Sequence, residues 1–125
     1  YALFGAIFDR VEAASKLAAR FDAALVALDD AIAALPRQRL LYVIWKKPWM
    51  SVSRDTYISR TLARAGIDTL PAGAARRYPE IDNADPVWRD AERILLSTEP
   101  YAFRPRDVDA LQRVTGKPVA LIDGE

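Results

Sequence analysis

A chain of 125 residues, 51% hydrophobic and 28% charged, is long enough for one globular domain with a real core and too apolar for a disordered segment. Its net charge of +1 argues against a strongly electrostatic partner such as bulk DNA. It has no cysteine and no histidine, which removes disulfides, thiolate chemistry, Cys-type zinc sites, the usual proton shuttle and the commonest metal ligand.

Residues 1 to 35 contain no proline and one glycine, Gly5, and alanine dominates them. Apolar or small residues recur at Phe4, Ile7, Val11, Ala14, Ala18, Phe21, Leu25, Leu28, Ile32 and Leu35, a spacing of three and four. That spacing predicts one stripe along one helix, with Glu12 and Lys16 as an i,i+4 pair and Pro36 as the stop. A single helix of this length is roughly 50 Å long. It is either a dimer seam or a rod linking two lobes. Ala14 and Ala18 are small for a coiled-coil seam, which favours the rod.

Leu40 to Trp45 is a continuous apolar run, read as a strand buried on both faces. Lys46, Lys47 and Pro48 end it and place Trp49 and Met50 in a loop. Trp49 there either caps the core or forms a ligand platform at the carboxyl end of the strand. Ser53 or Asp55 can cap a helix from Thr56 to Ala65, with Gly66 after its end. Ile67 to Leu70 is a short strand, and Pro71 to Arg77 a small-residue loop with a basic end. Asp85 and Pro86 open a short helix through Asp90, with Val87 and Trp88 inward. Ile94 to Ser97 is a second buried strand. Pro105 opens a further helix with Val108, Leu111 and Val114 on one face, ended by Gly116. Val119 to Ile122 is the third strand.

The fold class is therefore α/β: a long N-terminal backbone helix, residues 1–36, followed by a mostly parallel three-layer α/β lobe, residues 37–125. The loops after the strands share one edge, which gathers Trp49, Met50, Glu99, Tyr101, Asp123 and Glu125. No run approaches the roughly 20 apolar residues that span a membrane. No signal peptide is visible, but the chain opens at Tyr1 without Met and reads as a piece of a longer protein.

Without histidine, Ser51, Ser53 and Asp55 cannot form a Ser-His-Asp triad. Glu99 and Glu125 lack any spacing that supports glycoside chemistry, and no phosphate-binding glycine motif occurs. Direct metal ligation would rest on Tyr78, Glu80, Glu99 and Tyr101, which are scattered. A pre-formed iron chelate or planar macrocycle is easier to hold. Trp45, Trp49, Tyr78, Tyr101, Arg76 and Arg77 offer aromatic walls and cations for it, although two adjacent arginines also suit a solvated loop. Interleaved acids argue against nucleic acid as the partner.

Residues 39 to 59, Arg-Leu-Leu-Tyr-Val-Ile-Trp-Lys-Lys-Pro-Trp-Met-Ser-Val-Ser-Arg-Asp-Thr-Tyr-Ile-Ser, resemble the start of the C-terminal lobe of periplasmic substrate-binding proteins for cobalamin and iron-siderophore ABC importers, the helical backbone metal receptors. Arg77-Tyr78-Pro79-Glu80, the strand running into Ser97-Thr98-Glu99-Pro100-Tyr101, and the final Asp123-Gly124-Glu125 resemble further segments of that family in order. The resemblance implies a non-catalytic periplasmic receptor with no resident cofactor. It captures cobalamin, haem or a ferric siderophore between two lobes joined by a long helix and delivers it to a membrane permease. It implies that Trp49, Met50, Tyr78, Glu99, Tyr101, Asp123 and Glu125 line the cleft, that the N-terminal lobe is missing, and that the membrane is reached only through the permease. The chain departs from the family after Gly66 and over 82 to 93, so the docking acids are unassigned, with Glu80 as the candidate. The other reading is a helix-mediated dimeric scaffold without a small-molecule ligand.

Overall fold

The computed structural model describes residues 1–73 and 75–124. They form two compact units, a helical one over Tyr1–Leu35 and an α/β one from Pro36 onward.

The helical unit holds two helices, α1 (Ala2–Ile7) and α2 (Val11–Ile32), where the sequence pattern predicts one. The break follows from Asp9, whose φ of 51° is left-handed. Arg10 N–H donates to Gly5 O at 2.7 Å and Asp9 N–H to Ala6 O at 3.5 Å, so α1 ends in a Schellman turn with aspartate in the place glycine usually takes. The turn folds α1 back on α2. A Cβ on Gly5 would lie 2.7 Å from Ala14 Cβ, and the Tyr1 ring meets Phe21 edge-on at 6.0 Å. The predicted pair of Lys16 and Glu12 is present at 2.7 Å. Gly5→Val is expected to pry α1 from α2. The check is hydrogen exchange, which should accelerate at the α1 amides while α2 from Phe21 onward keeps its protection.

The α/β unit runs β1 (Gln38–Trp45), β2 (Trp49–Ser51), α3 (Tyr57–Arg64), β3 (Ile67–Leu70), β4 (Glu80–Ile81), α4 (Val87–Asp90), β5 (Arg93–Ser97), α5 (Pro105–Thr115) and β6 (Val119–Ile122). The sheet order is β4-β2-β1-β5-β6, and β3 joins on β1. Strand β1 organises it. It takes β5 in parallel along one edge, with Leu41 opposite Ile94. Its other edge is divided between β3, parallel beside Gln38 to Leu41, and β2, antiparallel beside Val43 to Trp45.

Period-2 alternation along β1 feeds two cores. Leu41 and Val43 pack with Ile94 and Leu96, under Val87 of α4 and Leu111 of α5. Tyr42 and Ile44 pack with Val52, under Ile58 and Leu62 of α3. Helices therefore cover both faces, giving the predicted three layers. Helix α3 is capped by Thr56, whose Oγ1 accepts from Ser59 N–H at 3.2 Å, in place of Ser53 or Asp55. Gly66 and Gly116 sit after α3 and at the end of α5 with φ of 77° and 66°, where a side chain would be strained.

The expected loop at Trp49 and Met50 is instead the strand β2. Residues 46–48 turn the chain so that Met50 pairs with Trp45. Strand β4 then adds beyond it, with Trp49 opposite Ile81. The sheet is thus parallel in its β3-β1-β5-β6 part and antiparallel at the β2 and β4 edge.

Candidate functional site

The carboxyl edge of the sheet carries a row of five rings. Trp45, at the end of β1, meets Tyr101 edge-on at 5.4 Å; Tyr101 meets Phe103 at 4.6 Å; Phe103 stacks parallel to Trp49 at 6.3 Å; and Trp49 meets Trp88 edge-on at 5.5 Å. Phe103 is buried, Trp49 and Tyr101 are half-buried, and Trp45 is 39% exposed. The row is therefore buried at its middle ring, Phe103, and opens toward both ends, most at Trp45. The indole N–H groups at the other end are spent on the exposed 82–83 segment. Trp49 Nε1 donates to Asn83 Oδ1 at 3.1 Å and Trp88 Nε1 to Asp82 O at 2.9 Å.

A half-buried ion pair locks this row to α5. Lys46 Nζ lies 2.6 Å from Asp107 Oδ1 and 5.7 Å from the centre of the Trp49 ring. Asp107 Oδ2 also accepts the Arg104 N–H at 3.0 Å at the start of α5. The Lys46 hydrogen bond holds the Asp107 carboxyl below the usual carboxylate range; the Arg104 N–H and the charges of Lys46 and Arg106 act the same way, and partial burial opposes them. A carboxyl depressed on folding contributes stability above its unfolded value of about 3.9 and loses it as pH falls through the folded value. Asp107→Asn is therefore expected to lower the melting temperature near neutral pH and to flatten its fall in acid, below about pH 4. Parallel melting curves for the two proteins across that window would count against the pair.

The predicted site residues fall in several places. Trp49 and Tyr101 join the ring row. Met50, one residue on, points to the other face and packs with Tyr42, Ile44 and Val52, so it shares no surface with Trp49. Glu99 and Asp123 are exposed on adjoining loops, where Gly124 N–H donates to Thr98 Oγ1 at 3.0 Å. A Cβ on Gly124 would meet Glu99 N at 2.9 Å, so these loops touch backbone to backbone. Tyr78 is 46% exposed on the segment flanking β2, where Ser51 N–H donates to Pro79 O and Ser53 N–H to Arg77 O. Glu125 lies outside the described residues.

Sequence reasoning missed the link between Lys46 and Asp107, 61 residues apart, for which no local pattern exists. It also missed Phe103, which spacing by two from Tyr101 could have marked. Among the described residues, no three or more Asp and Glu gather where a metal ion could be held. No described helix is long and apolar enough to cross a membrane.

No family model matches the chain, and no curated protein matches it in sequence. Solved structures do match in fold. The periplasmic vitamin B12-binding protein BtuF of Vibrio cholerae superposes with a TM-score of 0.69 at 19% identity, over 90% of this chain and 45% of its own. The periplasmic haem-binding protein BhuT, in complex with two haems, gives 0.72 at 20% identity over 95% of this chain and 50% of its own. An ABC-type Fe3+-hydroxamate transport protein of Saccharomonospora viridis gives 0.64 at 17% identity over 97% of this chain and 46% of its own. The fold is that of periplasmic substrate-binding proteins. The chain spans about half the length of the solved proteins it matches.

Proposed function

We propose that the chain is the C-terminal lobe and connecting helical segment of a periplasmic receptor that hands a metal chelate to the permease of an ABC importer. The observation that carries this reading is the ring row that opens to solvent at Trp45, on a fold whose solved examples are named for vitamin B12, haem and Fe3+-hydroxamate. At such an edge open α/β sheets receive ligands. Trp45 and Tyr101 offer apolar ring surface for the organic part of a chelate, and Glu99 and Asp123 on the adjoining loops offer polar contacts at its rim. Tyr78 and Met50 are secondary candidates, because neither shares a described contact with the ring row. In this reading the protein binds its cargo and catalyses nothing.

The test is intrinsic tryptophan fluorescence of the chain, titrated with cyanocobalamin, haemin and a ferric hydroxamate. Saturable quenching by one of them supports the reading; a flat response to all three opposes it.

A second reading has its own observation. Leu3, Phe4, Ile7, Phe8 and Val11 of the helical unit are each more than half exposed. Such a run suits a helix-mediated dimer. Sedimentation that stays monomeric at high concentration excludes it, and a dimer abolished by Phe21→Asp supports it.

A further inference from the structure

Beside α5 lies a groove of about 650 Å³, separate from the loops that carry Glu99 and Asp123. Its size is that of a small-molecule pocket. One wall is the corner formed by Trp49 and Trp88, whose rings stand at 75°. Both indole N–H groups are already engaged, Trp49 Nε1 by Asn83 Oδ1, itself in the lining, and Trp88 Nε1 by Asp82 O, so the rings offer mainly carbon. Leu111 and Val114 of α5 line the groove as well. Val114 has the spacing of a core residue, three after Leu111, yet it is 84% exposed. An apolar side chain so exposed, lining the same groove as two indoles, is unexplained by the packing of the unit.

The groove also carries charge. Lys46 and Asp107 line it as a pair. Lys117 and Arg89 line the groove as well, and Lys117 Nζ donates to Arg89 O at 2.7 Å. That bond uses one of the three donors of an ammonium group and neutralises no charge. The lining thus sets three cations, Lys46, Arg89 and Lys117, against one carboxylate, Asp107, around carbon surface interrupted by Asn83 and Thr115. A cationic ligand meets repulsion here. Arg89 Nε pairs with Asp90 Oδ1 at 3.3 Å, so a neutral ligand leaves Lys117 without a described counter-charge.

We propose that this groove binds an amphipathic organic anion. Its aromatic or aliphatic body lies against the Trp49–Trp88 corner and Val114, and its carboxylate meets Lys117. The groove draws on the Trp88 end of the ring row, whereas chelate capture uses the Trp45 end.

The experiment is calorimetric titration of the chain with 1-naphthaleneacetate, with dodecanoate, and with the uncharged 1-naphthaleneacetamide. At least one carboxylate is expected to saturate below about 1 mM; naphthaleneacetate alone marks an aryl body, and dodecanoate alone an alkyl one. The amide should bind at least tenfold more weakly than naphthaleneacetate if the aryl acid is taken. Lys117→Glu should weaken carboxylate binding at least tenfold. Because Lys117 also bonds the backbone, Val114→Asp is the second variant; at so exposed a position it leaves the fold intact and puts a negative charge in the groove. It should abolish carboxylate binding while any chelate response is unchanged. Absence of binding by both acids, equal binding of acid and amide, or undiminished binding in Val114→Asp each overturns the proposal.

Discussion

Trp45→Ala is expected to weaken chelate binding by about 10- to 100-fold, a loss of about 1.4 to 3 kcal/mol from one aromatic contact. The same change should cost stability only modestly, because Trp45 is 39% exposed and touches the core mainly through Tyr101. Trp45→Phe keeps a flat apolar surface and should recover most of the affinity. Direct titration with the chelate that quenches the native protein separates these outcomes. Unchanged affinity in the alanine variant, with the fold intact by circular dichroism, would remove the Trp45 end of the ring row from the site.

Leu41→Ala acts on the other extreme of burial. Leu41 is fully buried, stands opposite Leu70 on one side and Ile94 on the other, and contributes to the core under α4 and α5. Truncation there leaves a cavity that strands on both sides prevent from collapsing. The expected loss is about 3 to 5 kcal/mol, a large fraction of the 5 to 15 typical of a domain. Leu121→Ala, on β6 and 36% exposed, removes the same atoms and should cost less than about 1.5 kcal/mol. Urea denaturation of both variants checks the ratio. Equal losses would mean that β1 is not the centre of the sheet.

The elements that the sequence announced are those whose signals are local. Leu40 to Trp45 and Ile94 to Ser97 are apolar runs between breakers, Val119 to Ile122 follows Pro118, and α5 lies between Pro105 and Gly116. Strands β2 and β4 are too short to show a period, and they exist because β1 and β2 offer edges to pair with. The helix break was hidden because Asp9 adopts the conformation that glycine usually marks. Among site residues, Trp49 and Tyr101 were legible as rings after strands. The opposite facing of Trp49 and Met50 was not, since alternation applies only once the segment is known to be a strand. The Lys46–Asp107 pair and the Trp49–Trp88 corner arise from tertiary packing alone.

The central place of β1 also bears on how the chain is made. Its partners are translated late: Leu41 waits for Leu70 and then for Ile94. Through that interval the nascent chain carries Leu40 to Trp45, six uncharged residues of high β-propensity, the type of segment that pairs with its own copies. Arg37 and Arg39 precede the run, and Lys46 and Lys47 follow it. Like charges at both ends repel a second copy in register and act as gatekeepers until β5 arrives. In the finished fold Arg37 binds Asp68, Arg39 reaches Glu92 and Lys46 binds Asp107. The cations that keep the unfinished strand soluble thus become ties that hold its neighbours once they are in place.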